Sequence, residues 1–166
     1  VRPTGDRVKE SLFNILSLRL YGARVLDLFC GSGALGLESL SRGAKEAVFN
    51  DAAKSSLDIL RKKLKLVKAD ERAYSIYNFD FSRYLSEARG QFDIIFIDPP
   101  YRFDYGVPAL QKIAERELLT TNGIVVYERD RAFAEETPKG LKKIDERRYG
   151  KTWLTFFERE NQAAEE

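Results

Sequence analysis

An apolar segment that ends in an acid, two prolines and an aromatic residue carries the most chemical information in the sequence. The run 92–97 is followed directly by Asp98, Pro99, Pro100 and Tyr101. Proline has no N–H and restricts the residue before it to extended backbone. This turn is therefore stiff, and its backbone carbonyls are available as hydrogen-bond acceptors. The Asp98 carboxylate and the Pro99 carbonyl can together accept both N–H groups of a planar amino group.

An exocyclic amino group on a nucleic-acid base is a poor nucleophile, because its lone pair is delocalised into the ring. Two fixed acceptors would align that lone pair with an electrophilic methyl group and favour a pyramidal nitrogen in the transition state. Tyr101 would stack on the base, which must be unpaired or flipped out to reach the turn. We therefore assign catalytic roles to Asp98, Pro99, Pro100 and Tyr101. A purely structural turn at the end of a strand, the alternative, would explain the prolines alone.

A glycine-rich turn earlier in the chain has the properties of a cofactor site. Gly31, Ser32 and Gly33 follow a short apolar strand and open a helix, where a backbone can approach a ligand closely. With Gly36 the spacing also satisfies G-x-G-x-x-G, and Asp51 follows the next strand as a ribose-binding acid would in an NAD fold. The turn is therefore compatible with S-adenosylmethionine and with NAD.

The acidic residue at the end of the first strand distinguishes between these two cofactors. Asp27 lies four residues before Gly31, where a carboxylate would repel a pyrophosphate but accept hydrogen bonds around a cationic aminoacyl sulfonium group. S-adenosylmethionine is therefore favoured, with a turn needed only for tight packing as the alternative. The residues assigned to cofactor binding are Asp27, Phe29, Gly31, Ser32, Gly33, Asp51, Asp80 and Asp98.

Three expectations concern individual residues of this cofactor site. Asp80 follows the third strand, where the adenine ring would reach, and capping of the next helix is its alternative role. The Asp51 carboxylate is expected to accept hydrogen bonds from both ribose hydroxyls. A valine in place of Gly33 is expected to push its side chain into the space of the ligand while the fold is retained.

Strand and helix patterns alternate through most of the chain and place both turns at strand ends. Repeated strand–helix units predict an α/β fold with a mostly parallel, doubly wound sheet and ligands beyond the carboxyl ends of its strands. The last two strands predict a terminal antiparallel hairpin, and Thr4 or Asp6 can cap the first helix. The predicted helices are 6–19, a helix after Gly33 through Leu40, 54–65, 81–89 and 107–116; the predicted strands are 24–29, 46–50, 74–78, 92–97, 123–127, 141–148 and 152–158.

Composition limits the possible functions. With 166 residues and 43% apolar content, we expect one domain over residues 1–160 and a polar tail over 161–166. The chain has no histidine and one cysteine, which excludes Ser-His-Asp catalysis and ordinary zinc chemistry, and we expect no metal. No segment approaches the roughly 20 apolar residues that span a bilayer, and Val1 to Glu10 is polar and charged rather than signal-like, so we expect a cytoplasmic protein. We also expect it to be a monomer. The chain contains no methionine, and we expect natural sequence before Val1.

The turn at Asp98 resembles that of the DPPY class of amino-methyltransferases. Several more segments resemble the bacterial family of small-subunit rRNA guanine-N2 methyltransferases, over residues 2 to about 158. Lys151, where that family usually has an acid, and Ala52 and Ala53, where it has more polar residues, depart from its pattern. The segments that carry the resemblance are Arg2-Pro-Thr4, Asp6-Arg-Val8, Leu12-Phe-Asn14, 25–43, Asp98–Tyr101 and Arg147-Arg-Tyr-Gly150.

The resemblance implies a Rossmann-like methyltransferase fold with a seven-stranded sheet. It also implies S-adenosylmethionine as methyl donor and a guanine of 16S rRNA as acceptor, in free rRNA, the 30S subunit or an assembly intermediate. A DNA adenine-N6 methyltransferase is the second hypothesis, although 166 residues leave no room for a separate target-recognition region. A non-catalytic RNA-binding assembly protein that keeps the fold is the third, and the intact Asp98 and Gly31 argue against it.

A local basic face is expected to bind RNA, although the net charge of +2 gives no support for it. The resemblance places two cation-bearing segments at or near the substrate side. Phosphate contacts there would make binding depend steeply on salt. Solvated surface charge is the alternative. The cations of this expected face are Arg2, Arg7, Arg147, Arg148 and Lys151.

Overall fold

Seven strands form one sheet in the computed structural model, which describes residues 5–100 and 102–160. The strands are β1 (Arg24–Asp27), β2 (Glu46–Asn50), β3 (Tyr74–Tyr77), β4 (Phe92–Ile97), β5 (Leu119–Arg129), β6 (Leu141–Tyr149) and β7 (Thr152–Arg159). The α-helices are α1 (Asp6–Ile15), α2 (Ala34–Ser41), α3 (Lys54–Leu66), α4 (Phe81–Glu87) and α5 (Gly106–Glu115). The predicted alternation of strands and helices is confirmed.

The strand order of the sheet is β3-β2-β1-β4-β5-β7-β6. The first five strands in that order pair in parallel, and β7 pairs antiparallel with both β5 and β6. The predicted terminal hairpin is therefore confirmed, and its second strand lies inside the sheet. Burial explains this order, because the side chains from Leu154 to Phe157 are all buried, whereas β6 is mostly polar and forms the edge.

Apolar side chains alternate between the two faces of the sheet along each strand, and each face packs against a different set of helices. On one face, Leu26, Val48 and Ile95 pack with residues of α4 and α5. On the other face, Val25 and Ile94 pack with α1, and Ala47 and Phe49 pack with α3. Because both faces are covered, β4 is buried almost throughout, as its continuous apolar run predicts.

Two predicted element bounds differ from the structure by four residues, and the other bounds differ by two residues or fewer. Helix α1 ends at Ile15 rather than residue 19, and a turn follows in which Leu18 is 99% exposed. Gly5 is the N-cap of α1, so Asp6 is its first residue and not its cap, while Thr4 lies outside the described residues. Strand β5 begins at Leu119 rather than residue 123, because Leu119 pairs with Phe92 before the register shifts.

The structure shows no helix long and apolar enough to cross a membrane within residues 5–100 and 102–160.

Candidate active site

The glycine-rich turn and the Asp98 turn leave the sheet side by side. Strands β1 and β4 are parallel neighbours in which Asp27 pairs with Phe96, and the Leu28 N–H donates to the Phe96 carbonyl at 3.2 Å. The Asp98 turn begins two residues after Phe96, and the glycine-rich turn begins four residues after Asp27. A ligand bound at one turn therefore lies next to a ligand bound at the other, at the carboxyl edge where doubly wound sheets form their sites.

Asp51 fixes the glycine-rich turn through its carboxylate. The Gly31 N–H donates to Asp51 Oδ2 at 2.7 Å, and the Ala53 N–H donates to Oδ1 at 2.8 Å. The side chain is partly exposed. Because a carboxylate offers about four acceptor positions, Asp51 retains capacity for further donors. The structure thus gives Asp51 a positioning role that sequence reasoning did not foresee, beside its predicted ribose contact.

Asn50 connects the ends of three strands beneath the site. Sequence reasoning did not assign it a role. Its buried Nδ2 donates to the carbonyls of Leu28 at 3.3 Å and Phe79 at 3.0 Å, and its Oδ1 accepts the Phe79 N–H at 3.3 Å. A polar residue that ends an otherwise apolar strand, directly before Asp51, was the available signal. Asn50 holds the loops after β1 and β3 in a fixed relation.

Asp27 is buried at the end of β1 with 2% of its surface exposed. Its Oδ2 accepts the Gly36 N–H at 2.9 Å, which holds the first turn of α2. Burial raises the pKa of Asp27 from 3.8 to about 7, and the nearby Asp51 carboxylate adds to the rise, against the effect of the Gly36 hydrogen bond. A cation placed nearby would favour the ionised form of this carboxyl group.

The raised pKa of Asp27 predicts that stability falls as pH increases. Between about pH 4 and 7 the folded state retains the proton that the unfolded chain has already lost, so the free energy of unfolding decreases as pH rises through this window. We expect urea denaturation of the ligand-free protein to show this decrease between about pH 5 and 7, since the carboxylates with lowered pKa, such as Glu135, titrate below this range and the chain has no histidine. Asp27→Asn, which retains an acceptor for Gly36, should make the dependence clearly shallower. An equally steep dependence in the variant would contradict the assignment.

The two glycines of the turn have different structural roles. A Cβ at Gly33 would lie 2.5 Å from Leu60 Cδ1 and 3.3 Å from the Phe49 ring, so it would point into the core. The expectation that a valine at Gly33 enters the space of the ligand is therefore wrong. A Cβ at Gly31 would meet no atom within 4 Å among the described residues, so Gly31 borders the open side of the turn.

Alanine at each of these glycines should separate binding from stability. Both have positive φ, 54° at Gly31 and 91° at Gly33, so each variant carries backbone strain of roughly 1 kcal/mol. Gly33→Ala should lower the free energy of unfolding further, because Leu60 must move. Gly31→Ala should instead weaken cofactor affinity by about tenfold or more. Calorimetric titration and urea denaturation of both variants measure this contrast, and equal stability losses with unchanged affinity at Gly31 would refute it.

The other predicted cofactor residues lie around the same edge of the sheet. Ser32 Oγ accepts a hydrogen bond from Lys63 Nζ at 3.1 Å, which ties the turn to α3. Asp80 caps α4 by accepting the Arg83 N–H at 3.0 Å, as its alternative role predicted. Phe29 is half-buried and its ring centroid lies 5.4 Å from that of Phe81. Their predicted contacts with a cofactor stay predictions.

The Asp98 turn is partly accessible. Asp98 is half-buried, Pro99 is buried and Pro100 is exposed, and Tyr101 lies outside the described residues. After the turn, Phe103 and Tyr105 stack with centroids 5.1 Å apart and an interplanar angle of 10°. Tyr105 continues the stack onto Phe29 at 6.2 Å and 7°, so a row of rings joins the two turns.

A cavity of about 160 Å³ borders the proline pair. Its apolar walls are Pro99, Pro100, Phe103 and Tyr127. Three arginines and two aspartates supply its polar lining. The cavity combines flat apolar surfaces with donors and acceptors at its margin.

The expected basic face is not continuous in the hairpin. Arg147 and Arg148 are consecutive residues of β6, so their side chains point to opposite sides of the sheet. Arg147 pairs with Asp145 at 3.1 Å, whereas Arg148 lies 5.4 Å from the Trp153 ring. A single face through both arginines is therefore wrong. Arg7 and Lys151 are exposed, and Arg2 lies outside the described residues.

Comparison with known proteins places this architecture in a family. A model of the family described as conserved hypothetical protein 95 matches residues 1–158. The chain is 34% identical over 152 residues to ribosomal RNA small subunit methyltransferase D of Haemophilus influenzae, covering 90% of this chain and 79% of that protein. It is 31% identical over 145 residues to the protein of the same name from Buchnera aphidicola, covering 84% and 72%.

A solved structure agrees with the sequence comparisons. The candidate methyltransferase yhhF of Escherichia coli superposes with a TM-score of 0.86 at 30% identity, covering 98% of this chain and 89% of that one. The predicted Rossmann-like methyltransferase fold with a C-terminal antiparallel hairpin is thereby confirmed. The chain therefore belongs to the conserved hypothetical protein 95 family and shares its family with ribosomal RNA small subunit methyltransferase D of Haemophilus influenzae.

Proposed function

We propose that this protein transfers a methyl group from S-adenosylmethionine to the exocyclic N2 amino group of a guanine in 16S rRNA. The observation that carries the proposal is the adjacency of the two turns, since β1 and β4 pair directly up to Asp27 and Phe96. The relatives named ribosomal RNA small subunit methyltransferase D support the rRNA substrate. The reaction is assigned to the cytoplasm, on free rRNA, the 30S subunit or an assembly intermediate.

The donor site is assigned to the glycine-rich turn on three properties of its residues. The open side at Gly31 admits a ligand close to the backbone. The partly exposed Asp51 carboxylate can accept ribose hydroxyls while it holds Gly31. The buried carboxyl group of Asp27 would ionise beside a cationic aminoacyl group, because the cation lowers its raised pKa. S-adenosylmethionine, when bound, supplies an electrophilic methyl group on a sulfonium.

The acceptor site is assigned to the Asp98 turn. The Asp98 carboxylate and the Pro99 carbonyl would each accept one N–H of the guanine amino group and orient its lone pair toward the methyl group. As the nitrogen–methyl bond forms and the sulfur–methyl bond breaks, the nitrogen gains positive charge. Asp98 stabilises that charge and can receive the proton that the nitrogen then loses. Tyr101 is proposed to stack on the base.

A transfer assay with tritiated methyl donor tests the proposal directly. Unmethylated 30S subunits, free 16S rRNA and duplex DNA are incubated in parallel, and the labelled nucleoside is identified by mass spectrometry. We expect label in rRNA as N2-methylguanosine and none in DNA. The family that the sequence resembles is named for guanine 966, so the assay examines this nucleotide first for the methyl group. N6-methyladenine in DNA would replace the proposal with the second hypothesis. Absence of S-adenosylmethionine binding in calorimetry would replace it with a non-catalytic role.

A further inference from the structure

The cavity beside the proline pair adjoins the amine-binding position. It shares Pro99 and Pro100 with the catalytic turn, but among the described residues neither Asp98 nor any residue of the glycine-rich turn lines it. Because Asp98 lies outside this lining, the cavity provides contacts beyond those assigned to the target amino group. A ligand in the cavity would therefore lie beside the target base, against the prolines that both positions share.

The lining of this cavity fits a planar heterocycle better than a phosphate. The exposed Phe103 ring and Pro100 provide flat apolar contact, and the buried Tyr127 and Pro99 form the wall behind them. The charges at the margin are mixed, since three arginines face two aspartates, and Arg131 lies 3.5 Å from Asp130. A phosphate would be repelled by the aspartates, whereas a nucleobase edge offers both donors and acceptors. Cavities of about 150 Å³ hold one small aromatic molecule, so a volume of about 160 Å³ suits a base rather than a whole nucleotide.

Phe103 is held in the orientation that stacking requires. It is 47% exposed, and its inner face packs on Tyr105 in the nearly parallel row that continues to Phe29. The row fixes the plane of the outermost ring before any ligand arrives. Stacking on a fixed ring costs less conformational entropy than stacking on a mobile one.

Arg129 lines the cavity and carries a buried donor atom. Its side chain is 6% exposed and forms two hydrogen bonds of 2.7 Å with the carboxylate of Glu135, which raise the pKa of Arg129. Its Nε is buried and has no hydrogen-bond partner among the residues that the structure describes. A buried donor without an acceptor is costly. An acceptor atom of a bound base would relieve that cost after a small movement of the side chain.

We propose that this cavity binds the nucleobase next to the methylated guanine in the rRNA strand, with Phe103 as its stacking platform and Arg129 as a donor to its edge. The inference rests on the proposed function and adds a second base contact to it. The contact would hold the strand in place while the target base is turned toward Asp98. It makes an unpaired neighbouring nucleotide part of the substrate.

Steady-state methylation of unmethylated 30S subunits by three variants tests the inference. Phe103→Leu keeps an apolar side chain but removes the ring, and Phe103→Tyr keeps the ring. We expect Phe103→Leu to raise KM for subunits about 5- to 100-fold, the range for loss of one base–aromatic stack. The KM of Phe103→Tyr should stay within about twofold of wild type. Tyr21→Leu, which removes a 91% exposed ring outside the cavity, serves as the matched control.

A substrate lacking the base identifies what the cavity contacts. Subunits assembled with rRNA that is abasic at either nucleotide flanking the target should give a raised KM with wild type at one of the two positions. At that position Phe103→Leu should cause no further rise. A full additional rise at both positions would show that Phe103 does not contact a flanking base and would overturn the inference, as would an unchanged KM for Phe103→Leu on normal subunits.

The outcomes for the inference and for the proposed function are distinguishable. Failure of wild type to methylate any rRNA substrate would refute the proposed function itself. Normal wild-type methylation with an unaffected Phe103→Leu variant would refute only the neighbouring-base contact. Calorimetric affinity for S-adenosylmethionine should be equal in wild type and Phe103→Leu. A parallel loss of cofactor affinity would assign Phe103 to support of the cofactor site through Tyr105 and would also overturn the inference.

Discussion

Replacement of Asp98 by alanine is expected to reduce turnover by at least about 100-fold while S-adenosylmethionine affinity stays nearly unchanged. The carboxylate is assigned to hold the acceptor amine and to stabilise the positive charge that develops on its nitrogen, and such charge interactions act mainly in the transition state. Single-turnover methylation of 30S subunits and calorimetric titration of the cofactor measure the two quantities. Asp98 is half-buried directly after β4, so urea denaturation of the variant is measured alongside to check that the fold is retained.

Asp98→Asn provides the matched control. Asparagine retains an oxygen that can accept one amine N–H but loses the negative charge, so turnover should fall between those of wild type and Asp98→Ala. Near-normal turnover in the alanine variant would reject the catalytic role. A fall in cofactor affinity comparable to the fall in turnover would instead favour the assignment of Asp98 to the cofactor site.

The second large effect is expected at Asp51. Asp51→Ala should weaken S-adenosylmethionine binding about 10- to 100-fold, because hydrogen bonds to a charged group contribute about 1.5 to 3 kcal/mol. The structure adds a second reason for this loss. The variant also releases the Gly31 and Ala53 N–H groups, which the carboxylate holds at 2.7 and 2.8 Å, so the glycine-rich turn loses its fixed shape.

Asp51→Asn separates the two contributions at this position. Its remaining side-chain oxygen can still accept the Gly31 N–H, so the turn keeps part of its support while the charge is lost. We expect affinity between those of wild type and the alanine variant, with the free energy of unfolding closer to wild type than that of alanine. A change in affinity of less than about twofold in Asp51→Ala would remove Asp51 from the cofactor site.

Most elements were predictable where burial alone determines the pattern. Strand β4 was predicted with its observed bounds, because a continuous apolar run fits a strand that is covered on both faces. Strand β5 was predicted too short, because Thr121 and Asn122 resemble a loop although they continue the strand across a register shift. The place of β7 between β5 and β6 was not predicted, although its apolar middle contrasts with the charged β6.

The site could be predicted as a set of residues but not as a geometry. Motif spacing predicted Gly31, Asp51 and Asp98 as site residues, and the structure places all three beyond the carboxyl ends of β1, β2 and β4. The direction of a Cβ at Gly33 depends on α3, which packs behind the turn through Leu60. Such a contact between segments distant in sequence has no local signature.

The pairing of β1 with β4 has a consequence for how the protein forms. Arg24 and Asp93, which join the starts of these strands by a 2.8 Å hydrogen bond, are 69 residues apart along the chain. Contacts of such long sequence separation form late and slowly, because chain entropy must be lost before they contribute. During synthesis, the glycine-rich turn therefore exists well before its partner strand emerges from the ribosome. A ligand that contacts both turns binds only after β4 has paired with β1. By mass action, that binding would then stabilise newly made chains and protect them from proteolysis.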